Sequence, residues 1–304
     1  MQNLNNNVTG IIRSVGERTE RVCFELLKKQ IPESNIQFVR EKPFNEAVRK
    51  TFEVGIQENR KWTYAIDADL LIKPGVIKEL FYFAETTDEQ VFKITGKIID
   101  KFIESPREGG IHLYRTAHME HALNKIPDPY ESTRPESFVR NEMNKIGFIS
   151  VTTEIITGLH DFEQYYHDIY RKCFIHSKKH HVRVMKVLPA WEQLAINDHD
   201  YLIAINGFNA GCKYEGPVSI DTNSNFLNEF KNTLDYLSIK EKGELEDKTW
   251  LDDKKYLFFA VNALARIAID QQQVLINRSL NISESQSESN KRPWYKYFKR
   301  LMKF

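Results

Sequence analysis

Residues 61–79 read KWTYAIDADLLIKPGVIKE and predict a buried strand, a polar turn and a helix. The strand is predicted at Trp62–Ile66, where aromatic and β-branched residues follow one another. Pro74-Gly75 then precedes a helical pattern that begins at about Val76. The turn between the two carries the residues that matter most for function.

That turn contains two carboxylates one residue apart, Asp67 and Asp69. At the carboxyl end of a buried strand such a pair can share a divalent cation at the edge where open α/β sheets bind ligands. In the alternative interpretation, one Asp caps the turn and the other is solvated.

Two strand–helix pairs precede this strand. Strands are predicted at Val8–Ser14 and Asn35–Arg40, and helices at Glu17–Gln30 and Pro43–Asn59. The order β-α-β-α-β predicts parallel pairing with right-handed crossovers, and therefore an α/β fold. A nucleotide would lie over the carboxyl ends of these strands. The residues predicted to bind it are Arg13, Gly16, Arg18, Glu41 and Asp67.

The loop RSVGER after the first strand has two interpretations. Arg13 and Arg18 can grip a diphosphate, with Gly16 allowing close approach of the backbone. Alternatively, Gly16 only forms the turn, and the charges that follow belong to the first turn of an amphipathic helix. The sequence has neither GxGxxG after this strand nor GxxxxGK[ST] anywhere, so it supports neither a Rossmann dinucleotide site nor a P-loop.

A second strand-to-helix junction follows later in the chain. Ile149–Thr157 predicts a strand, Phe162–Lys172 a helix, and His160 and Asp161 lie between them. His160 is a candidate third ligand of the cation. The candidate acid–base residues are Asp161, Glu163 and Asp168. The alternative is that Asp161 caps the helix and His160 is a hydrogen-bonded scaffold residue.

Between these junctions, the prolines and polar residues of Pro127–Asn144 predict a surface loop beside the cleft. The loop either contacts an acceptor or only connects its neighbours.

Composition narrows the functional classes. The 304 residues contain 43 Lys+Arg against 42 Asp+Glu, so the net charge gives no overall electrostatic attraction to nucleic acid. Three widely spaced cysteines argue against a disulfide framework and fit a reducing compartment. The start shows no signal-peptide pattern, and nowhere do 18 apolar residues run together, so any membrane contact is expected to be peripheral, on the cytoplasmic side.

The end of the chain predicts such a contact. Residues 291–304, KRPWYKYFKRLMKF, follow a polar linker at 281–290, and on a helix they separate into an apolar and a basic face. This is the pattern of a helix that lies in an anionic membrane surface. The alternative is a helix that docks on its own core or on a partner. The residues predicted to contact the membrane are Trp294, Lys296, Phe298, Lys299, Arg300 and Leu301.

The β-α-β-α-β start, the IDADLLIKPGVI segment and the later GLHDFE segment together resemble a GT-A glycosyltransferase, near the broad family 2 grouping. The resemblance implies a Rossmann-like domain that binds a nucleotide sugar, with Mg²⁺ or Mn²⁺ bridging the Asp pair and the diphosphate. It places Asp67 towards the nucleotide and Asp69 on the metal, with Asp67, Asp69 and His160 as the metal set. Where many inverting members carry a Glu-Asp pair, this chain has His167-Asp168, so inverting and retaining outcomes stay open.

We therefore expect a GT-A domain at 1–215 and a helical extension at 216–280, through which chains could pair as homo-oligomers. The expected activity is transfer of a sugar from a nucleotide-sugar donor to a lipid-linked or cell-envelope glycan at the inner face of the membrane. The alternatives are a non-catalytic membrane-associated scaffold with this fold and a nucleotidyltransferase. An HD-type metal phosphohydrolase, raised by the pairs His160-Asp161 and His199-Asp200, is disfavoured by the strand-rich first half.

Overall fold

The computed structural model describes residues 2–103, 106–129, 131–132, 134–216, 218, 224–246 and 250–263. Its contacts group the chain into two compact units, Met1–Asp247 and Lys248–Phe304. The strands and helices named below belong to the first unit, and the second unit contains a helical segment at 253–263. The predicted boundary at residue 215 stays a prediction, and the predicted linker and membrane helix at 281–304 lie outside the described residues.

Seven strands form one mixed sheet in the order β2-β1-β3-β6-β5-β7-β4. The strands are β1 Val8–Arg13, β2 Ile36–Val39, β3 Trp62–Asp67, β4 Leu70–Ile72, β5 Val91–Asp100, β6 Arg107–Arg115 and β7 Ile149–His160. The helices of the first unit are α1 Gln2–Asn7, α2 Glu20–Lys28, α3 Phe44–Glu58, α4 Val76–Ala84, α5 Met119–Leu123, α6 Pro135–Lys145, α7 Tyr166–Lys179, α8 His181–Leu194, α9 His199–Lys213 and α10 Ser224–Leu237.

The predicted β-α-β-α-β start is confirmed. β1 pairs in parallel with both β2 and β3, and the register sets Arg13 opposite Asp67 at the ends of their strands. β6 runs antiparallel to both β3 and β5, and β5 runs parallel to β7. The strands β1, β2, β3, β5 and β7 therefore share one direction, and their carboxyl ends lie at one edge of the sheet. The predicted α/β fold class, with a helical C-terminal part, is confirmed.

The short strand β4 follows the Asp pair directly. Leu70, Leu71 and Ile72 are completely buried and pair antiparallel with the end of β7. The sequence predicted no strand here, because three apolar residues before Pro74-Gly75 have no distinguishing period. The pairing makes β4 the edge strand beside β7 and fixes where Asp69 lies.

The surface loop predicted at Pro127–Asn144 is wrong in its second half, where α6 begins at Pro135. Proline is well tolerated in the first turn of a helix, since the missing N–H has no partner there in any case. Pro135, Val139 and Met143 are buried at four-residue spacing and form the inner face of α6. The prolines hid this helical period in the sequence.

The helices after β7 form a second core. Tyr170 and Phe174 of α7, Trp191 of α8 and Phe208 of α9 belong to one buried cluster, which Phe230 of α10 also joins. No helix of the described part of the chain is both long and apolar enough to cross a bilayer.

Candidate functional site

The candidate site lies at the carboxyl ends of β3 and β7, where Asp69, His160 and Asp161 converge. Each offers one ligand atom, and the three atoms lie within 4.8 Å of one another. His160 and Asp161 are buried, and the side chain of Asp69 is 17% exposed. Carboxylate oxygens and an imidazole nitrogen at this spacing can hold a divalent cation.

Strand register explains the convergence. Leu70 of β4 pairs with His160, so Asp69 lies beside the end of β7, and the Asp161 N–H donates to the Asp69 carbonyl at 3.2 Å. On the other side of β7, Asp100 at the end of β5 pairs with His160. Asp161 itself has a φ of +66°, a left-handed conformation that Asp tolerates better than most residues.

Two cationic side chains hold these carboxylates together. Lys172 of α7 lies with its Nζ 2.8 Å from Asp69 Oδ2 and also contacts Asp161 Oδ1. His160 Nδ1 lies 3.0 Å from Asp100 Oδ2. Although burial acts to lower the pKa of His160, Asp161 and Asp69 raise it well above its ordinary value. Burial raises the pKa of Asp69 less than the charges of His160 and Lys172 lower it, so that carboxyl stays ionised.

Two buried oxygens test whether a cation fits. Asp69 Oδ1 and Asp161 Oδ2 have no hydrogen-bond partner. His160 Nδ1 is 3.0 Å from Asp161 Oδ2, but the hydrogen-bond partners of this nitrogen are Asp100 Oδ2 and Arg107 Nη2. Buried carboxylate oxygens without donors are costly, and a divalent cation would satisfy them. The donor set therefore fits Mg²⁺ or Mn²⁺, provided that Lys172 moves aside and His160 gives up a proton.

A second polar cluster lies at the ends of β1 and β3. Arg13 is buried; its Nε donates to Asp67 Oδ1 at 2.9 Å, and its Nη1 donates to Glu136 Oε1 at 2.7 Å. Glu136, in the first turn of α6, also accepts from the Tyr114 hydroxyl at 3.1 Å and lies 3.2 Å from His112 Nε2. Burial raises the pKa of Asp67 to about 6, against the opposing charge of Arg13.

The predicted metal residues are thus divided between the two clusters. The structure brings Asp69 and His160 together and adds Asp161, whereas Asp67 pairs with Arg13. Arg13 and Asp67 lie together, as the nucleotide-binding prediction requires. The metal and nucleotide roles of these residues stay predictions.

The other predicted site residues are placed as follows. Arg18 pairs with Glu163 at 2.9 Å, so the predicted nucleotide-binding Arg holds one of the predicted acid–base residues. Gly16 has a φ of +100°, with open space where a Cβ would be. Glu41 accepts from the N–H of its neighbour Arg40 at 2.8 Å. Asp168 lines one cleft together with Asp69, Asp161 and Lys172. The predicted membrane residues 294–301 lie outside the described residues.

Three residues of the site were not predicted. Asp100 ends β5, so the rule that selected Asp67, a carboxylate at the end of a buried strand, could have found it. Glu136 was hidden in the segment interpreted as a loop. Lys172 could not be found from the sequence, because only the packing of α7 brings its ammonium to Asp69 and Asp161.

No protein-family model and no curated protein matches the chain. Similar solved structures include a glycosyltransferase involved in the glycosylation of the major capsid of PBCV-1, at 14% identity and a TM-score of 0.36, covering 49% of this chain and 82% of that one. A cytidylyltransferase from Leptospira borgpetersenii is 12% identical at a TM-score of 0.35, covering 49% of this chain and 76% of that one. A CMP:2-keto-3-deoxy-manno-octonic acid synthetase is 11% identical at a TM-score of 0.35, covering 51% and 92%.

Proposed function

We propose that this chain is a metal-dependent glycosyltransferase that moves a sugar from a nucleotide-sugar donor to an acceptor hydroxyl. The observation that carries the proposal is the group Asp69, His160 and Asp161, with two orphaned carboxylate oxygens, at the carboxyl edge of the sheet. Arg13, which is buried, and Asp67, whose side chain is 32% exposed, end neighbouring strands at this edge and support a nucleotide site there.

The three residues would hold Mn²⁺ or Mg²⁺, which acts as a Lewis acid towards the negative charge of a leaving nucleoside diphosphate. The chain's own residues supply the rest. Lys172 would no longer be needed between Asp69 and Asp161, and its ammonium would remain beside the site as a second positive charge. Arg18, at the loop after β1, is a further cation for the diphosphate.

Asp168 is the carboxylate best placed to accept the proton of the acceptor hydroxyl. It lines the same cleft as Asp69 and Asp161. Its nearest cations are His167 at 3.4 Å and Arg171 at 3.5 Å, whereas Lys172 approaches Asp69 to 2.8 Å. A carboxylate held this loosely keeps a lone pair for a substrate proton.

For the acceptor, we propose a lipid-linked or cell-envelope glycan at the inner face of a membrane. The basic amphipathic pattern of residues 291–304 supports this location. Pairing of two chains through the helical extension stays a prediction.

A thermal-shift panel of nucleotide sugars with Mn²⁺ tests the donor site. A ligand at 100 times its Kd should stabilise the chain by about 2.7 kcal/mol. Asp69→Asn should lose both the shift and sugar transfer, and the exposed Asp88→Asn is the matched control. If no nucleotide sugar shifts the wild-type protein, or if Asp69→Asn transfers sugar at the wild-type rate, the proposal fails.

The product identifies the reaction. Sugar transfer releases a nucleoside diphosphate, whereas a nucleotidyltransferase would release pyrophosphate. A protein that binds the donor but releases neither product would instead be a scaffold.

A further inference from the structure

The stretch 169–191, which covers most of α7 and α8, carries positive charge without any acid. Between Asp168 and Glu192 the sequence contains no Asp or Glu, but it contains six Lys or Arg residues. They are Arg171, Lys172, Lys178, Lys179, Arg183 and Lys186. A segment of this kind is either a solvated face or an anion-binding surface, and its neighbours decide between the two.

Three cations of this region, Arg134, Lys179 and Arg183, form together with the ring of His180 what we call the cationic patch. The Arg134 Nη2 lies 3.4 Å from both ring nitrogens of His180, and the Arg183 N–H donates to the His180 carbonyl at 2.9 Å. Within the described residues, no carboxylate comes within the 4.0 Å of an ion pair with Arg134, Lys179 or Arg183. Among the described residues, these three cations therefore have no ion-pair partner, and the longer-range charge of Glu136 opposes the positive charges only at Lys179.

Burial and neighbouring positive charges both disfavour the protonated forms of the titratable groups in the patch. Burial and then the charges of Arg134, Arg107 and Lys172 lower the pKa of Lys179 to about 8, against the opposing charge of Glu136. Burial and then Arg134, Lys179, Arg183 and Arg107 lower the pKa of His180 to about 4. A bound phosphate would relieve this repulsion and accept charge-assisted hydrogen bonds from the same groups.

An apolar surface begins directly beside the patch. α8 packs Val184 and Trp191 into the core but leaves Val182 69% exposed and Met185 49% exposed, with Pro189 also exposed. Val182, Met185 and Pro189 follow the spacing i, i+3, i+7 and so share one face of the helix. The cationic patch, which can bind an anion, therefore lies next to an exposed apolar face of α8.

The patch is continuous with the candidate metal site. Lys179 lies seven residues after Lys172 on α7, which is two turns or about 10 Å along the same face. The charge of Arg107 lowers the pKa of both Lys179 and His180, and the Nη2 of Arg107 lies 3.4 Å from His160 Nδ1. A ligand on the patch would therefore lie next to the cleft that Asp168 lines.

We propose that the cationic patch and the exposed face of α8 bind a phosphorylated lipid, with its phosphate on Arg134, Lys179 and Arg183 and its chain along Val182 and Met185. The inference rests on the proposed function only in assigning this lipid as the acceptor. The charge complementarity of the patch and the adjoining apolar face together select an amphiphile with a phosphate head.

Calorimetric titration of the full chain in EDTA tests the site with three soluble probes. Dihexanoyl phosphatidic acid below its micelle concentration offers phosphate and chains, dihexanoyl phosphatidylcholine offers the chains without net charge, and inorganic phosphate offers no chain. We expect saturable binding of phosphatidic acid, binding of inorganic phosphate weaker by about tenfold or more, and no binding of phosphatidylcholine.

Matched variants divide the site into its parts. The double variant Lys179→Gln/Arg183→Gln should weaken phosphatidic acid binding by about tenfold or more. Met185→Ser should weaken phosphatidic acid without changing inorganic phosphate. Lys178→Gln, an exposed lysine next to Lys179, should change neither, and thermal melting of each variant checks that it folds.

Three results would overturn the inference: equal binding of phosphatidic acid by the double variant and wild type, equal affinity for inorganic phosphate and phosphatidic acid, or equal affinity for the two lipids.

A titration with nucleoside diphosphate and Mn²⁺ distinguishes failure of the lipid site from failure of the proposed function. The double variant should keep that binding and Asp69→Asn should lose it. If the double variant also loses nucleoside diphosphate, the patch belongs to the donor site and the inference falls. If wild type binds no nucleotide, the proposed function falls, and the phosphatidic acid titration alone decides the lipid site.

Discussion

Replacing Glu136 by Gln should destabilise the fold by about 3 kcal/mol. In the native state three groups contact the carboxylate of Glu136: Arg13 Nη1 at 2.7 Å, the Tyr114 hydroxyl at 3.1 Å and His112 Nε2 at 3.2 Å. The side chain of Arg13 is only 3% exposed and that of Glu136 15%, so solvent screens this pair little. Gln keeps the shape but removes the charge.

The magnitude follows from what the substitution leaves behind. Breaking a buried ion pair typically costs about 3–5 kcal/mol, because the remaining charge is uncompensated. Asp67 still lies 2.8 Å from Arg13 Nη2, so the lower end of that range applies.

Urea unfolding followed by circular dichroism measures the change. Glu142→Gln is the control on the same helix: Glu142 pairs with Lys145, whose side chain is 70% exposed, and its loss should cost less than about 0.5 kcal/mol. If Glu136→Gln unfolds at the same urea concentration as wild type or the control, Glu136 does not compensate Arg13 and this interpretation of the cluster is wrong.

Three further predictions concern the site and the packing. Lys172→Met should raise Mn²⁺ affinity about tenfold, since it removes the ammonium that competes for the ligands; a Mn²⁺ titration by electron paramagnetic resonance showing weaker binding would refute this. Burial lowers the pKa of His112 to about 4 from 6.5, so below pH 6.5 the unfolded chain binds a proton that the folded chain does not. Stability should therefore fall by about 3 kcal/mol as the pH drops from 6.5 to 4, and urea midpoints of His112→Gln should lack this component. Gly207→Ala should cost about 2 kcal/mol in thermal or urea unfolding, because its Cβ would lie 2.4 Å from the Tyr170 carbonyl oxygen, whereas Gly243→Ala, with no atom within 4 Å, should be neutral.

Much of the fold could be predicted from local patterns. The alternating strands and helices from Val8 to Asp67 carry their own periodicities, and short connections between them leave parallel pairing as the expected arrangement. The polar residues after these strands, Asp67, Asp69 and His160, were recognisable because parallel strands end at one edge.

The sequence alone determined the order of the elements from Val8 to Asp67 and the residue types available at the edge of the sheet. Tertiary structure decided which of these residues meet. β4 pairs with β7 so that Asp69 faces His160, α7 brings Lys172 between two carboxylates, and α6 delivers Glu136 to Arg13. The reason is that periodicity reports burial within one element, whereas strand register and helix packing depend on contacts between residues as much as 123 positions apart.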